Sequence, residues 1–320
     1  MIRLAWRQHR LQAGSGALLL ALLATLLLWT GHQMTAYLNS SGLARCLASH
    51  SDCGSISQLF ESRYGGLLGN SAYLNFLPML VGIFWGAPLV ARELEQGTHR
   101  LAWTQSVTRR RWLLTKLAFL LVAAAAAATI FSMLFTWWFH PFARVGFGGG
   151  YARMDVNVFD FQGVVPIGYT VYALALGTAA GVLLRRTLPA MAVTLAGYLP
   201  LRLWVQTLRA HFAPPLQISY RAFGTSPRTG RGDWVLHSQV VNQLGRSISD
   251  QAVFASCPAT PGTAKNTVGE CLTAHGFRSL DAYRPASRFW AFQGIEASIF
   301  LGLAALLLLG AVWWVVRRTA

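Results

Sequence analysis

The sequence predicts an all-α integral membrane protein. It should have six transmembrane helices, both termini cytoplasmic, an amphipathic interfacial helix at the N-terminus and an extracellular segment between helices 5 and 6. Three observations carry this. Hydrophobic residues make up 54% of the 320 positions and charged residues 12%, whereas an ordinary soluble protein has roughly 25% charged. Mean hydropathy is +0.41. The apolar residues are gathered into long runs, and the basic residues gather at one set of run ends. A soluble enzyme and a disordered chain are both excluded. The formal charge of +16 invites nucleic acid as a partner, but no soluble basic domain carries apolar runs of this length, so none is expected.

Residues 1–12 come first. Arg3, Arg7 and Arg10 share one helical face, with Met1, Ile2 and Ala5 roughly opposite, the pattern of a helix lying on a membrane surface; a plain basic topology signal is the alternative. No small-x-small cleavage site follows Ala17–Trp29, so the first run reads as an uncleaved span. Six runs are long enough to cross a hydrocarbon core of about 30 Å: Gly16–Tyr37, Tyr73–Val90, Trp112–Phe139, Val164–Leu184, Leu188–Leu208 and Phe289–Val316. The division expected is 1–12 interfacial, 13–208 carrying the first five spans with a cytoplasmic loop at 92–112, 209–288 extracellular, and 289–320 the sixth span and tail.

Charge sets the orientation. One side carries Arg3, Arg7, Arg10, Arg92, Arg100, Arg109, Arg110, Arg111, Lys116, Arg185, Arg186, Arg317 and Arg318 against only Glu93 and Glu95. The short loops opposite hold Arg45, Arg63, Arg144 and Arg153 against Asp52, Glu61, Asp155 and Asp160, and so balance. The positive-inside rule makes the first side cytoplasmic. Cys46, Cys53, Cys257 and Cys271 all fall on the other side. Four cysteines allow three pairings. The local pairs Cys46–Cys53 and Cys257–Cys271 are the simplest in an oxidising exterior, and free thiols are the alternative. Lys116 and Lys265 are the only lysines among many arginines. With the Ala, Leu and Gly richness, this points to a GC-rich, actinobacterial type of genome.

The spans carry their own punctuation. Pro78, Gly82, Gly86 and Pro88 predict a kink in the second, and Gly177-x-x-x-Gly181 in the fourth is a small-residue packing pattern. Within 209–288, Val240, Val241, Leu244 and Ile248 recur at helical spacing after Asp233, a candidate N-cap, which predicts a small helical cap.

No catalytic motif is found. A phosphate loop, a His-Glu-x-x-His and a Gly-x-Ser-x-Gly are all missing, and the histidines are scattered singly. The chain is not expected to be an enzyme or to bind a cofactor or metal. Two ionisable residues lie within spans, where charge is expensive and functional by default. Arg202 sits about 21 Å from the inner end of the fifth span and Glu296 about 30 Å from that of the sixth. They read as a polar gate or ligand anchor at the outer mouth, or as a structural ion pair.

The connection from Arg92 to Lys116 is the most informative. Acidic Glu93 and Glu95 are followed by Gly97 and Thr98, then by apolar Leu101, Ala102 and Trp103, then by Arg109, Arg110 and Arg111. A topology signal needs only the arginines, so the rest suggests a short helix presented to a soluble partner. Arg92-Glu93, Gly97-Thr98, Leu101 and Lys116 match in order and spacing the loop after the second span of ABC-2-type ABC transporter permeases, and the chain resembles that family over its whole topology. A proline common before the basic cluster in the family is replaced here by Ser106-Val107. The resemblance implies a permease subunit, forming a homodimer or paired with a second permease, that docks cytosolic ABC ATPase subunits holding the ATP and Mg. Arg92, Glu93, Glu95, Gly97, Thr98, Leu101 and Trp103 would make the main contact with them, and Arg185 and Arg186 a secondary one. It also implies that the second and fifth spans line the substrate path, with Asn75, Phe76, Met79, Phe84, Thr194 and Tyr198 as candidates beside Arg202 and Glu296. Apolar, aromatic and methionine side chains suit an amphiphilic substrate such as a drug, lipid or lipopeptide. The expected place is the bacterial cytoplasmic membrane, among lipid. The competing reading is a non-transporting membrane scaffold or sensor, with an extracellular receptor segment and a cytoplasmic docking loop.

Overall fold

The computed structural model describes residues 2–49, 53–97, 108–146, 153–222, 232–257 and 265–318, the first few as backbone only. Thr98, Leu101, Trp103 and the Ser106-Val107 pair lie outside them. Among the described residues, six helical stretches are long and apolar enough to cross a membrane: Ala13–Ser40, Gly54–Glu95, Arg110–Val145, Val165–Leu184, Thr187–His211 and Ala286–Arg317. The first belongs to α1 (Ile2–Ser40), one unbroken helix that includes the expected interfacial stretch.

The loop expected between the first two spans is helical. After α2 (Leu43–Ala48) comes α3 (Gly54–Ser71), which continues through a 3-10 turn, Ala72–Phe76, into the second span. Helix over Gly54–Glu95 would measure about 63 Å at 1.5 Å per residue, twice a hydrocarbon core. Its first half therefore extends past the apolar layer. It packs there on the equally long α1 and α6 (Arg109–Val145) through Met34, Leu38, Phe60, Tyr64, Phe135 and Phe142. A Cys46–Cys53 disulfide joins α2 to α3, and the Trp138 indole donates to the Thr30 hydroxyl at 2.9 Å.

The second span holds the expected distortion. After α4 (Leu77–Val81), Gly82–Gly86 widens into a π turn, with the Ala87 N–H donating to the Gly82 carbonyl at 2.9 Å. Pro88, which has no N–H to donate, then opens α5 (Pro88–Glu95). This turn lies against α8 (Val165–Leu184), which follows the short α7 (Val156–Phe159). A Cβ on Gly177 would stand 2.3 Å from the Gly82 carbonyl oxygen, and one on Gly181 2.5 Å from that of Ala87. Glycine is required at both, because backbone meets backbone. α8 is the centre of the bundle: most of its side chains are buried, whereas few of those on the first span are. Around it stand α4, α5, α6, α9 (Thr187–Leu208) and α12 (Phe289–Arg318).

The segment 209–288 corrects the all-α expectation. β1 (Leu216–Arg221), β2 (Trp234–Val241) and β3 (Arg278–Arg284) form an antiparallel sheet of order β1-β3-β2, with α10 (Asp250–Ser256) and α11 (Lys265–Ala274) packed beside it. Val240 and Val241, read as part of a helix, end β2; their β-branched chains suit a pleated surface. Asp233 does not cap a helix but accepts from the Ala286 N–H at 2.7 Å. The Cys257–Cys271 disulfide joins α10 to α11. The sheet is clasped to the end of the fifth span: Arg284 donates to the carbonyls of Ala210 and Ala213, and Arg288 to that of Pro214 at 2.6 Å.

Candidate functional site

Among the described residues, two places concentrate polar chemistry, one at each end of the bundle. The first is a buried ionic cluster where the fourth, fifth and sixth spans meet beneath the sheet. The Arg209 guanidinium grips Glu296 at two points, Nε to Oε2 at 2.8 Å and Nη2 to Oε1 at 3.0 Å, and reaches Asp160 Oδ1 at 2.5 Å. Arg202 pairs closely with Asp160 and lies 3.8 Å from Glu296. The Tyr169 hydroxyl donates to Glu296 and lies 3.2 Å from Asp160. Asp160, Arg202, Arg209 and Glu296 are all at most 5% exposed. The guanidiniums also lie over rings, Arg202 4.0 Å from the centroid of Tyr169 and Arg209 4.1 Å from that of Phe159.

Local structure delivers each member. Glu296 stands two turns into α12. Arg202 and Arg209 are seven apart, two turns, and so share one face at the end of the fifth span. Asp160 follows α7, in the turn that leads to α8. That turn is held by Gln293: its Oε1 accepts from the Val164 and Val165 N–H groups at 3.0 and 2.9 Å, and its Nε2 donates to the Phe159 carbonyl at 2.9 Å. Two of the N–H groups that every helix start leaves unpaired are thereby satisfied. Nearby, Arg153 lies 3.9 Å over the Phe289 ring, and burial lowers its guanidinium from its ordinary value. Two cations and two anions cancel in formal charge, while Arg202 Nε and Nη1 and Arg209 Nη1 are buried without a hydrogen-bond partner.

The second place is the end that carries residues 92–116. Glu93 is ion-paired with Lys116, tying the second span to the third. The Glu95 carboxylate accepts from the Thr187 N–H at 3.0 Å and its hydroxyl at 2.8 Å. A negative charge there faces the positive end of α9 and ties the second span to the turn between the fourth and fifth. That turn is tight: Arg185 is the only non-glycine with positive φ among the described residues, at 55°. Leu94, Glu95, Arg185, Arg186, Leu188 and Pro189 line a surface recess of about 710 Å³. Gly97 has φ 71°, turning the chain as it leaves α5. On the far side of the loop, the Thr108 hydroxyl caps α6 by accepting from the Arg111 N–H at 3.4 Å.

The sequence-predicted residues thus divide. Arg202 and Glu296 are brought together, joined by Asp160, Arg209 and Tyr169, which sequence reasoning missed. Two opposite charges inside spans demanded further partners, and Asp160 and Arg209 stand just past the span ends; that signal was available. Glu95, Arg185 and Arg186 are brought to one recess, with Arg92, Glu93 and Gly97 on the chain beside it. Asn75 accepts from Arg202 at 3.4 Å, so it touches the ionic cluster. Met79, Thr194 and Tyr198 are buried among the spans, whereas Phe76 and Phe84 are exposed on the bundle surface.

Residues 17–209 of the chain, more than half of it, match the family model described as "ABC-2 membrane transporter related". The match ends at Arg209. No curated protein and no solved structure matches.

Proposed function

The chain belongs to the ABC-2 membrane transporter related family, and from that membership we propose that it is the permease subunit of an ATP-driven exporter in a bacterial cytoplasmic membrane. It has no ATP chemistry of its own in this reading. A cytosolic ABC ATPase supplies the energy, and two permease chains pair around the path. The substrate is amphiphilic, of drug, lipid or peptide-like character, in keeping with the apolar and aromatic surfaces of the second and fifth spans.

One observation supports the coupling route above all: Glu93 and Glu95 tie the end of the second span to the third span and to the turn before the fifth. A push on the loop between them would reach three spans at once through two carboxylates. A conformational change needs a contact that differs between its two states, and Glu93–Lys116 and Glu95–Thr187 are the contacts suited to that role. Arg92, Gly97, Thr98, Leu101, Trp103, Arg185 and Arg186 complete the surface offered to the ATPase.

Co-purification from native membranes tests the reading. A transporter brings down a nucleotide-hydrolysing subunit, whereas a scaffold or sensor does not. Glu93→Ala and Gly97→Pro are expected to separate ATP hydrolysis from transport in proteoliposomes while leaving insertion intact. Proline cannot adopt the positive φ of residue 97. Full transport by both variants removes the loop from the mechanism.

A further inference from the structure

We propose that the corner formed by Cys257, Cys271 and His275 is a redox-gated site for a soft divalent metal ion of the zinc class. Oxidised, the two cysteines form the disulfide between α10 and α11 and offer no thiolate. Reduced, they leave two sulfurs beside an imidazole, a ligand set that zinc prefers.

The geometry is nearly in place. The ligand atoms of Cys257, Cys271 and His275 all lie within 4.8 Å of one another. His275 Nδ1 is 3.8 Å from the sulfur of Cys257 and 3.8 Å from that of Cys271. Zinc–sulfur bonds of about 2.3 Å and zinc–nitrogen bonds of about 2.0 Å at tetrahedral angles give sulfur–nitrogen edges of about 3.5 Å and a sulfur–sulfur edge of about 3.8 Å. Two of the three edges therefore already approach the required length, and the third opens when the sulfur–sulfur bond breaks. Cys271 and His275 are four apart, one helical turn. Cys257 closes α10, donating its N–H to the Val253 carbonyl at 3.1 Å. Val253 and Leu272 are buried beneath the corner and fix the two helices against each other.

The chemistry balances. A dithiol or phosphine reductant gives two electrons to the disulfide and is itself oxidised, and the sulfurs take up two protons as thiols. Metal binding then releases those protons and leaves two thiolate ligands. In the oxidised chain Nδ1–H donates to the Cys271 carbonyl at 2.8 Å. On binding, the ring turns away from that carbonyl, Nδ1 gives its lone pair to the metal, and the ring proton resides on Nε2. Water completes the fourth position. The metal thus holds α10 to α11 when the covalent bridge is lost.

The test uses the full chain in detergent with Cys46→Ser and Cys53→Ser, so that only these two thiols remain. After anaerobic reduction by a phosphine and its removal, cobalt(II) is titrated. Expected are one equivalent bound, thiolate-to-cobalt charge transfer, tetrahedral d–d bands and displacement by zinc. The oxidised protein should show none of these. His275→Ala should weaken binding at least about tenfold, the scale seen even for groups one step removed from a metal. No charge-transfer band after reduction overturns the proposal, and so does unchanged affinity in His275→Ala. If the double serine variant does not fold, wild-type protein is alkylated after reduction, with and without zinc. Protection of Cys257 and Cys271 supports the site, and equal labelling overturns it.

Discussion

Arg209 shows what one side chain does in this protein. It is fully buried, yet it meets Asp160, Glu296 and the Phe159 ring. Removing one partner of a buried charge pair leaves the other uncompensated, at a cost of about 3–5 kcal/mol. Arg209→Met and Glu296→Met are each expected to lower thermal stability in detergent by that order. The double variant should lose less than the sum, because Asp160 and Arg202 remain paired. Strictly additive losses would mean that the cluster does not act as a unit. Glu93 and Lys116 were legible from the sequence as separate features, a loop acid and a span-leading lysine. Their pairing was not, because twenty-three residues separate them and only the fold brings them together.

Among the elements, the junction of the second and fourth spans is the most constrained. Gly177→Ala places a methyl group 2.3 Å from the Gly82 carbonyl, so the helices must part. A loss of about 1–3 kcal/mol is expected, as for overpacked cores. Gly302→Ala, on an open helix face with nothing within 4 Å, should be neutral or slightly stabilising, since alanine favours helix. Thermal melts of the two variants side by side check this. The small-residue pattern of the fourth span and the kink at Gly82 and Gly86 of the second were both visible in the sequence, but not that the two would meet. Residues 234–241 show the opposite limit. Valines at helical spacing misled because spacing in a short run cannot separate helix from strand, and pairing with β3, more than thirty-five residues on, decided the matter.

At the scale of the whole molecule, the bundle has polar machinery at both ends and apolar surface between. Leu18, Leu22, Val122, Met133, Leu306 and Leu309 stand outward, as lipid-facing side chains do. If both termini are cytoplasmic, Leu244→Cys, on an exposed turn beyond β2, reacts with a membrane-impermeant maleimide in intact cells. Thr98→Cys then reacts only after permeabilisation. The reverse pattern would invert the orientation assigned from charge.

The sequence by itself determined the membrane class, the number of spans and the family, because long apolar runs and a compact loop motif are properties of neighbouring residues; it favoured the local cysteine pairs, and the fold settled them. The sequence offered Arg202 and Glu296 as a pair; tertiary structure alone decided which other groups join them. Asp160, Tyr169, Arg202, Arg209 and Glu296 come from three spans and a loop, and a buried charge takes its partner from whatever the packing delivers, whatever the distance along the chain.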